Sequence, residues 1–70
     1  MDKLRLEYEI KRKGLSVNDF CEKIGVSRSA YYRKCNGSSE FTRDEIESIM
    51  RVLEISLEEG MLIFFAQEVS

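Results

Sequence analysis

Seventy residues, 43% hydrophobic and 34% charged, suffice for one small domain with a single core, and that balance excludes a disordered or fibrous chain. Two cysteines and no histidine are too few ligands for a zinc site and leave any thiol nucleophile without an imidazole base, so no metal, cofactor or catalytic role is expected. The net charge of −2 argues against a polyanion as partner, but it is unevenly spread: residues 1–39 hold nine Lys/Arg against five Asp/Glu (+4), and residues 40–70 hold two against eight (−6). Such asymmetry suggests a basic face for an anion and an acidic end turned away from it.

The first segment is ambiguous. Leu4, Leu6, Tyr8 and Ile10 alternate with charged residues, which is the period of a strand. Every other segment reads as a helix and a lone strand would have no partner, so a first helix is expected here. In that helix Leu4 and Tyr8 share one side, and Leu6 and Ile10 lie nearly opposite. The start, Met1-Asp2-Lys3-Leu4-Arg5, lacks the apolar core of a signal peptide, and the longest apolar stretch, Met61–Ala66, is too short to span a bilayer. A cytoplasmic location is therefore expected, and in that reducing compartment Cys21 and Cys35 are expected to be core residues rather than a disulfide.

Four further helices announce themselves by their caps. Ser16 with Asp19, flanked by Leu15 and Phe20, predicts a start at 16. Ser27, flanked by Val26 and Tyr31, predicts a second. Thr42 with Glu45, flanked by Phe41 and Ile46, predicts a third, and Ser56 with Glu59 a fourth, although Gly60 stands where its apolar partner would be. Gly25 and Asn36-Gly37 supply stops. The spacing predicts helices over 16–24, 27–36, 42–54 and 56–66. Ile46, Ile49, Met50 and Leu53 mark the inner face of the fourth helix, and Leu57, Met61, Leu62, Phe64 and Phe65 the apolar positions of the fifth.

The helices at 16–24 and 27–36 are so closely joined that the second must cross the first steeply, with Phe20, Ile24, Val26 and Tyr31 in the corner and Cys21 at the closest approach. That arrangement projects the outer face of the second helix away from the body, as entry into a major groove requires. At 100° per residue Tyr31 and Cys35 point inward. Ser29, Tyr32, Arg33 and Asn36 cluster on the opposite side, with Arg28 at its margin. Arginine can bond guanine in pairs, serine and asparagine can bond base edges, and tyrosine can bond phosphate or pack on a thymine methyl. No acidic residue lies between Lys23 and Glu40.

Gly14-Leu15-Ser16, the run Phe20 to Lys34, and Asn36-Gly37 resemble the Cro/C1-type (XRE) helix-turn-helix regulators of phages and bacteria, and Leu53 to Glu59 resembles that family's junction between fourth and fifth helices. The pair Tyr31-Tyr32 before Arg33-Lys34 resembles a phage-related subset. The resemblance implies an all-α, five-helix, lambda-repressor-like domain over residues 1–70, with repressor or activator activity and dimeric binding to a two-fold operator on double-stranded DNA. It also implies that Ser27, Arg28, Ser29, Tyr32 and Arg33 occupy base- and backbone-contacting positions. Two positions depart from the pattern. Glutamine is common where Val17 stands, and Asn18 is the candidate to replace its backbone contact. An apolar residue is common where Lys34 stands, and Cys35 is expected to take the inward role.

A single domain makes few base contacts, so a homodimer is expected. Its interface would be the fifth helix, whose run Met61, Leu62, Ile63, Phe64 and Phe65 is wider than one face needs; the core should take about three of the five, and Met61, Leu62, Phe64 and Phe65 are the interface candidates. The competing reading is a helix-turn-helix module that binds another protein, such as an antirepressor or toxin partner, without reading DNA.

Overall fold

A computed structural model describes residues 1–65. They form five helices and, among the described residues, no strand: α1 Lys3–Arg12, α2 Val17–Ile24, α3 Arg28–Cys35, α4 Arg43–Leu53 and α5 Leu57–Phe64. The all-α, five-helix expectation holds. The predicted bounds agree to within about two residues, the last expected residue of α5, Ala66, lying outside the described ones.

The alternating segment is α1. Leu6 and Ile10 enter the core, while Leu4 and Tyr8 stay exposed, so the alternation comes from one inner pair and one outer pair rather than from a strand. Two features absent from the sequence reading fix this helix. Asp2 caps it by accepting from the Arg5 N–H at 3.1 Å, and the Asp2 N–H bonds the Ile63 carbonyl at 2.7 Å, tying the start of α1 to the end of α5. Glu9 is buried, and Arg12 covers its charge through a fork, Nη2 to Oε2 at 2.9 Å and Nε to Oε1 at 3.1 Å.

All four predicted caps form. Ser16, Ser27, Thr42 and Ser56 each accept from the backbone N–H three residues on. Only Thr42–Glu45 and Ser56–Glu59 complete the reciprocal box. Asp19 does not answer Ser16 as expected, because its side chain is one methylene shorter than the glutamate that closes the other two.

Leu6, Ile10, Phe20, Tyr31, Ile49, Leu53 and Ile63 fill the centre and are almost wholly buried. Gly60 is packed as well. A Cβ there would collide with Met50 Sδ and come within 2.9 Å of its Cγ, so the glycine that stands in place of an apolar staple partner admits α4. On α5 the core takes Ile63 and half of Phe64, two residues of the five rather than three.

Candidate nucleic-acid interface

The corner between α2 and α3 is built from a turn. Gly25 ends α2 in the left-handed conformation (φ 72°, ψ 31°), and the Val26 N–H reaches back to the Cys21 carbonyl at 3.0 Å. Ser27 then caps α3 through Ala30 N–H at 3.1 Å, so three residues, 25–27, separate the two helices. Phe20 and Tyr31 meet edge to face at 6.0 Å between ring centres, Ile24 and Cys21 are buried, and Val26 packs from the side. The corner is filled by the residues expected there.

Tyr31 sets the rotation of α3. Its ring also meets Phe41 at 6.3 Å, and Phe41 meets Phe64 at 5.6 Å, so an aromatic row runs from α2 beneath α3 to α5. With Tyr31 held inward, Ser29, Tyr32, Arg33 and Asn36 are all exposed, as is Arg28 at the leading edge. Arg28 lies over the Tyr32 ring, 5.8 Å from its centre, and Tyr32 leans edge-on against Tyr31 at 5.4 Å. The cation and the phenol therefore hold each other in place before any partner arrives. Asn36 ends the helix, its N–H bonded to the Tyr32 carbonyl at 2.9 Å, with its side chain exposed.

The two departures resolve differently. Val17 is half-buried and packs on the core, while exposed Asn18 lines a cleft of about 430 Å³ together with Ser27 and Arg28. Glu22 lines the same cleft. The stretch from Lys23 to Glu40 is free of acids along the chain, but α2 brings one back in space, a neighbour that inspection of α3 alone could not reveal. Lys34 corrects the sequence reading further. It does not yield the inward position to Cys35; both flank Tyr31 and both are half-buried. The Lys34 side chain is only 13% exposed, bonds Glu45 at 3.0 Å and the Glu40 carbonyl at 3.2 Å, and sits over the Phe41 ring. At 100° per residue, Lys34 and Cys35 fall on opposite sides of Tyr31, so a face that wide takes both.

Burial raises the thiol pKa at Cys21 and Cys35, which keeps both neutral and makes them packing groups. Burial likewise pushes the Tyr31 phenol far up, with Cys35 beside it adding to the rise, and its hydroxyl is buried with no hydrogen-bond partner of normal geometry among the described residues. The Glu45 carboxyl is driven upward by its own burial, but the Thr42 N–H and Lys34 together outweigh that and hold it below the usual carboxylate range.

Residues 6–60 match the helix-turn-helix family across all of α2, α3 and α4 and into α5. The chain belongs to the Cro/C1-type helix-turn-helix family. Searches of curated proteins and of solved structures returned no match. Membership makes this a DNA-binding domain of the regulatory kind, a family that is not typically enzymatic. Among the described residues no helix is long and apolar enough to cross a membrane.

Proposed function

We propose that this domain is a cytoplasmic, phage-related transcriptional regulator of the repressor/Cro type that reads duplex DNA by placing α3 in the major groove. One observation carries the reading: with Tyr31 locked inward, α3 presents Ser29, Tyr32, Arg33 and Asn36 outward on a helix that has no acidic residue. In this reading Arg33 makes the paired bonds to guanine, and Ser29 and Asn36 contact neighbouring base edges. Arg28, Ser27 and Asn18, gathered at the mouth of the α2–α3 cleft, lie against the sugar-phosphate backbone. The Arg28–Tyr32 stack limits the freedom lost on binding.

The regulator acts as a homodimer, which doubles the contacts and sets two half-sites about one helical turn apart. Its interface is α5, from which Met61, Leu62 and Phe65 project into solvent; Phe64, expected among them, is instead turned toward Phe41.

In-vitro selection of bound duplexes tests both statements together. The expected outcome is a two-fold-symmetric consensus whose affinity falls steeply with salt. If low salt yields no enriched duplex and Arg28→Ala and Arg33→Ala change nothing, DNA reading is lost and the protein-interaction module takes its place.

A further inference from the structure

The outer face of α1 takes no part in the core. At 100° per residue Leu4, Arg5, Tyr8, Lys11 and Arg12 fall within about a third of a turn. All five are exposed, Leu4 by 78% and Tyr8 by 63%. The two apolar side chains lie along the middle of this stripe, with Lys11 on one flank and Arg5 and Arg12 on the other. Arg5 and Lys11 have no ion-pair partner among the described residues, and Arg12 bonds Glu9, which is buried. Acids stand only at the edges: Asp2 caps the helix through the Arg5 N–H, and Glu7 lies beyond Lys11.

The stripe is turned away from any duplex seated on α3. The charge of Glu7 reaches Tyr31 and Cys35, and that of Lys3 reaches Cys35, so α1 stands behind the inner side of α3. Ser29, Tyr32, Arg33 and Asn36 point out from the opposite side of that helix. On α1 itself Tyr8, at the centre of the stripe, lies about 100° round from Glu7. The cations of α1 and those of α3 therefore serve different surfaces.

We infer that the outer face of α1 docks an acidic segment of another protein, one that carries apolar side chains between its carboxylates. Charge complementarity fixes the occupant. A purely hydrocarbon partner would strip water from Arg5 and Lys11 and give nothing in return. A partner with acids at both edges pairs those cations, which steer its approach and set its register. Leu4 and Tyr8 supply the apolar centre, and tyrosine is among the residues that most often anchor an interface. An apolar centre inside a charged rim is the layout of a protein contact, whereas cations in line with stacking rings track a phosphate backbone. The stripe is only about two helical turns long, roughly 10–12 Å, so the contact belongs to the small, transient class. It needs neither the DNA reading nor the dimer.

Selection of displayed random peptides against the full chain tests this. The expected winners carry aspartate or glutamate on either side of leucine or aromatic residues, and amide chemical-shift mapping places them on residues 4–12. Tyr8→Ala and Lys11→Glu should each weaken the strongest peptide by about fivefold or more, and replacing its acids with lysine should abolish binding. Both positions are exposed, so circular dichroism and affinity for duplex should not change. A selection that enriches nothing, enriches peptides without acids, or maps to α3 or α5 overturns the inference. If Lys11→Glu weakens duplex binding as much as peptide binding, the face belongs to DNA. If it weakens self-association in sedimentation, a second copy is the occupant. Either result removes the foreign partner. Failure of the DNA reading alone leaves the peptide site and its variants untouched, so the two can be told apart.

Discussion

α3 and α5 are both eight residues long, and both are capped by a serine. Each buries few residues fully: Tyr31 on α3, with Lys34 and Cys35 half-buried beside it, and Gly60 with Ile63 on α5, with Phe64 half-buried beside them. They differ in what the rest of the surface carries. α3 turns arginines, hydroxyls and an amide outward, and α5 turns outward leucine, methionine and phenylalanine. Short helices contribute little stability of their own in water, so in both cases a few buried contacts position a face whose chemistry is free to serve a partner. An outer face of polar donors suits a polyanion; an outer face of hydrocarbon suits another protein.

The inner stripes should be the costliest to break. Tyr31→Ala is expected to remove about 3–5 kcal/mol, and Ile63→Ala about 2–5 kcal/mol. Either loss is comparable with the whole stability of a domain this small. Urea unfolding followed by circular dichroism measures both. A loss below about 1 kcal/mol at Tyr31 would show that something other than the aromatic row holds α3.

Breaking the outer stripe of α3 should leave stability alone and strike binding. Arg33→Ala is expected to cost about 1–3 kcal/mol of DNA affinity and to relax base preference at one position of the half-site. Arg28→Ala should weaken all duplexes alike and reduce the salt slope. Fluorescence anisotropy on selected and scrambled duplexes separates the two. Equal losses on both duplexes for Arg33→Ala would move that side chain from the bases to the phosphates.

The fold was largely legible because caps and glycines are local signals. Ser16, Ser27, Thr42 and Ser56 each act on a backbone N–H three residues away, and Gly25 acts within its own turn, so sequence spacing contains the geometry. The outer set on α3 was legible for a similar reason: one inward residue, Tyr31, and the helical period fix the rest. What escaped depends on residues far apart in the chain. Asp2 finds Ile63, Lys34 finds Glu45 across the α3–α4 connection, Glu22 reaches the cleft beside Arg28, and Gly60 makes room for Met50. No local pattern encodes such meetings. Phe64 was misplaced by the same blindness, since an apolar run shows that some residues must face outward but not which ones.

Tyr31 offers a sharper test of the inner stripe. Its hydroxyl is buried and, among the described residues, unpartnered, which is costly. Tyr31→Phe should therefore stabilise the domain by about 1 kcal/mol, seen as a melting temperature higher by about 4–8 °C. The phenol pKa is raised in the folded state, so its proton favours folding below the unfolded value of about 10 and that advantage is lost as pH climbs above it. Wild-type protein should lose stability above pH of about 10, and Tyr31→Phe should lose less. A destabilised phenylalanine variant would mean that the hydroxyl has a partner in solution, with Cys35 the neighbour to examine.

Lys34 ties the end of α3 to α4 through Glu45, and the pH dependence of that tie has a definite sign. The Glu45 pKa is depressed on folding, so its contribution is present above the ordinary carboxylate value and fades as pH falls through the lowered one. Lys34→Met should cost about 0.5–1 kcal/mol at neutral pH, with the difference from wild type narrowing below pH of about 4. Parallel urea titrations at pH 7 and pH 3 report it, and a gap that stays constant would assign the effect to packing on Phe41 instead of to charge.

The smallest expected effect lies on the inner stripe of α5, where two terms oppose each other. Alanine is better than glycine inside a helix by about 1 kcal/mol, so Gly60→Ala gains that much in propensity. The added methyl collides with Met50, and overpacking costs about 1–3 kcal/mol where nothing yields. Met50 is a flexible thioether, half-buried, and can swing aside at the low end of that range. The two terms should nearly cancel, leaving Gly60→Ala destabilised by no more than about 1 kcal/mol. In a Met50→Ala background the collision disappears, and the same change should stabilise by about 1 kcal/mol. The cycle thus predicts a coupling of about 1–2 kcal/mol between residues ten apart in sequence. A coupling near zero would mean that α4 and α5 do not close on each other at Gly60, and that its glycine has no packing role on the inner stripe of α5.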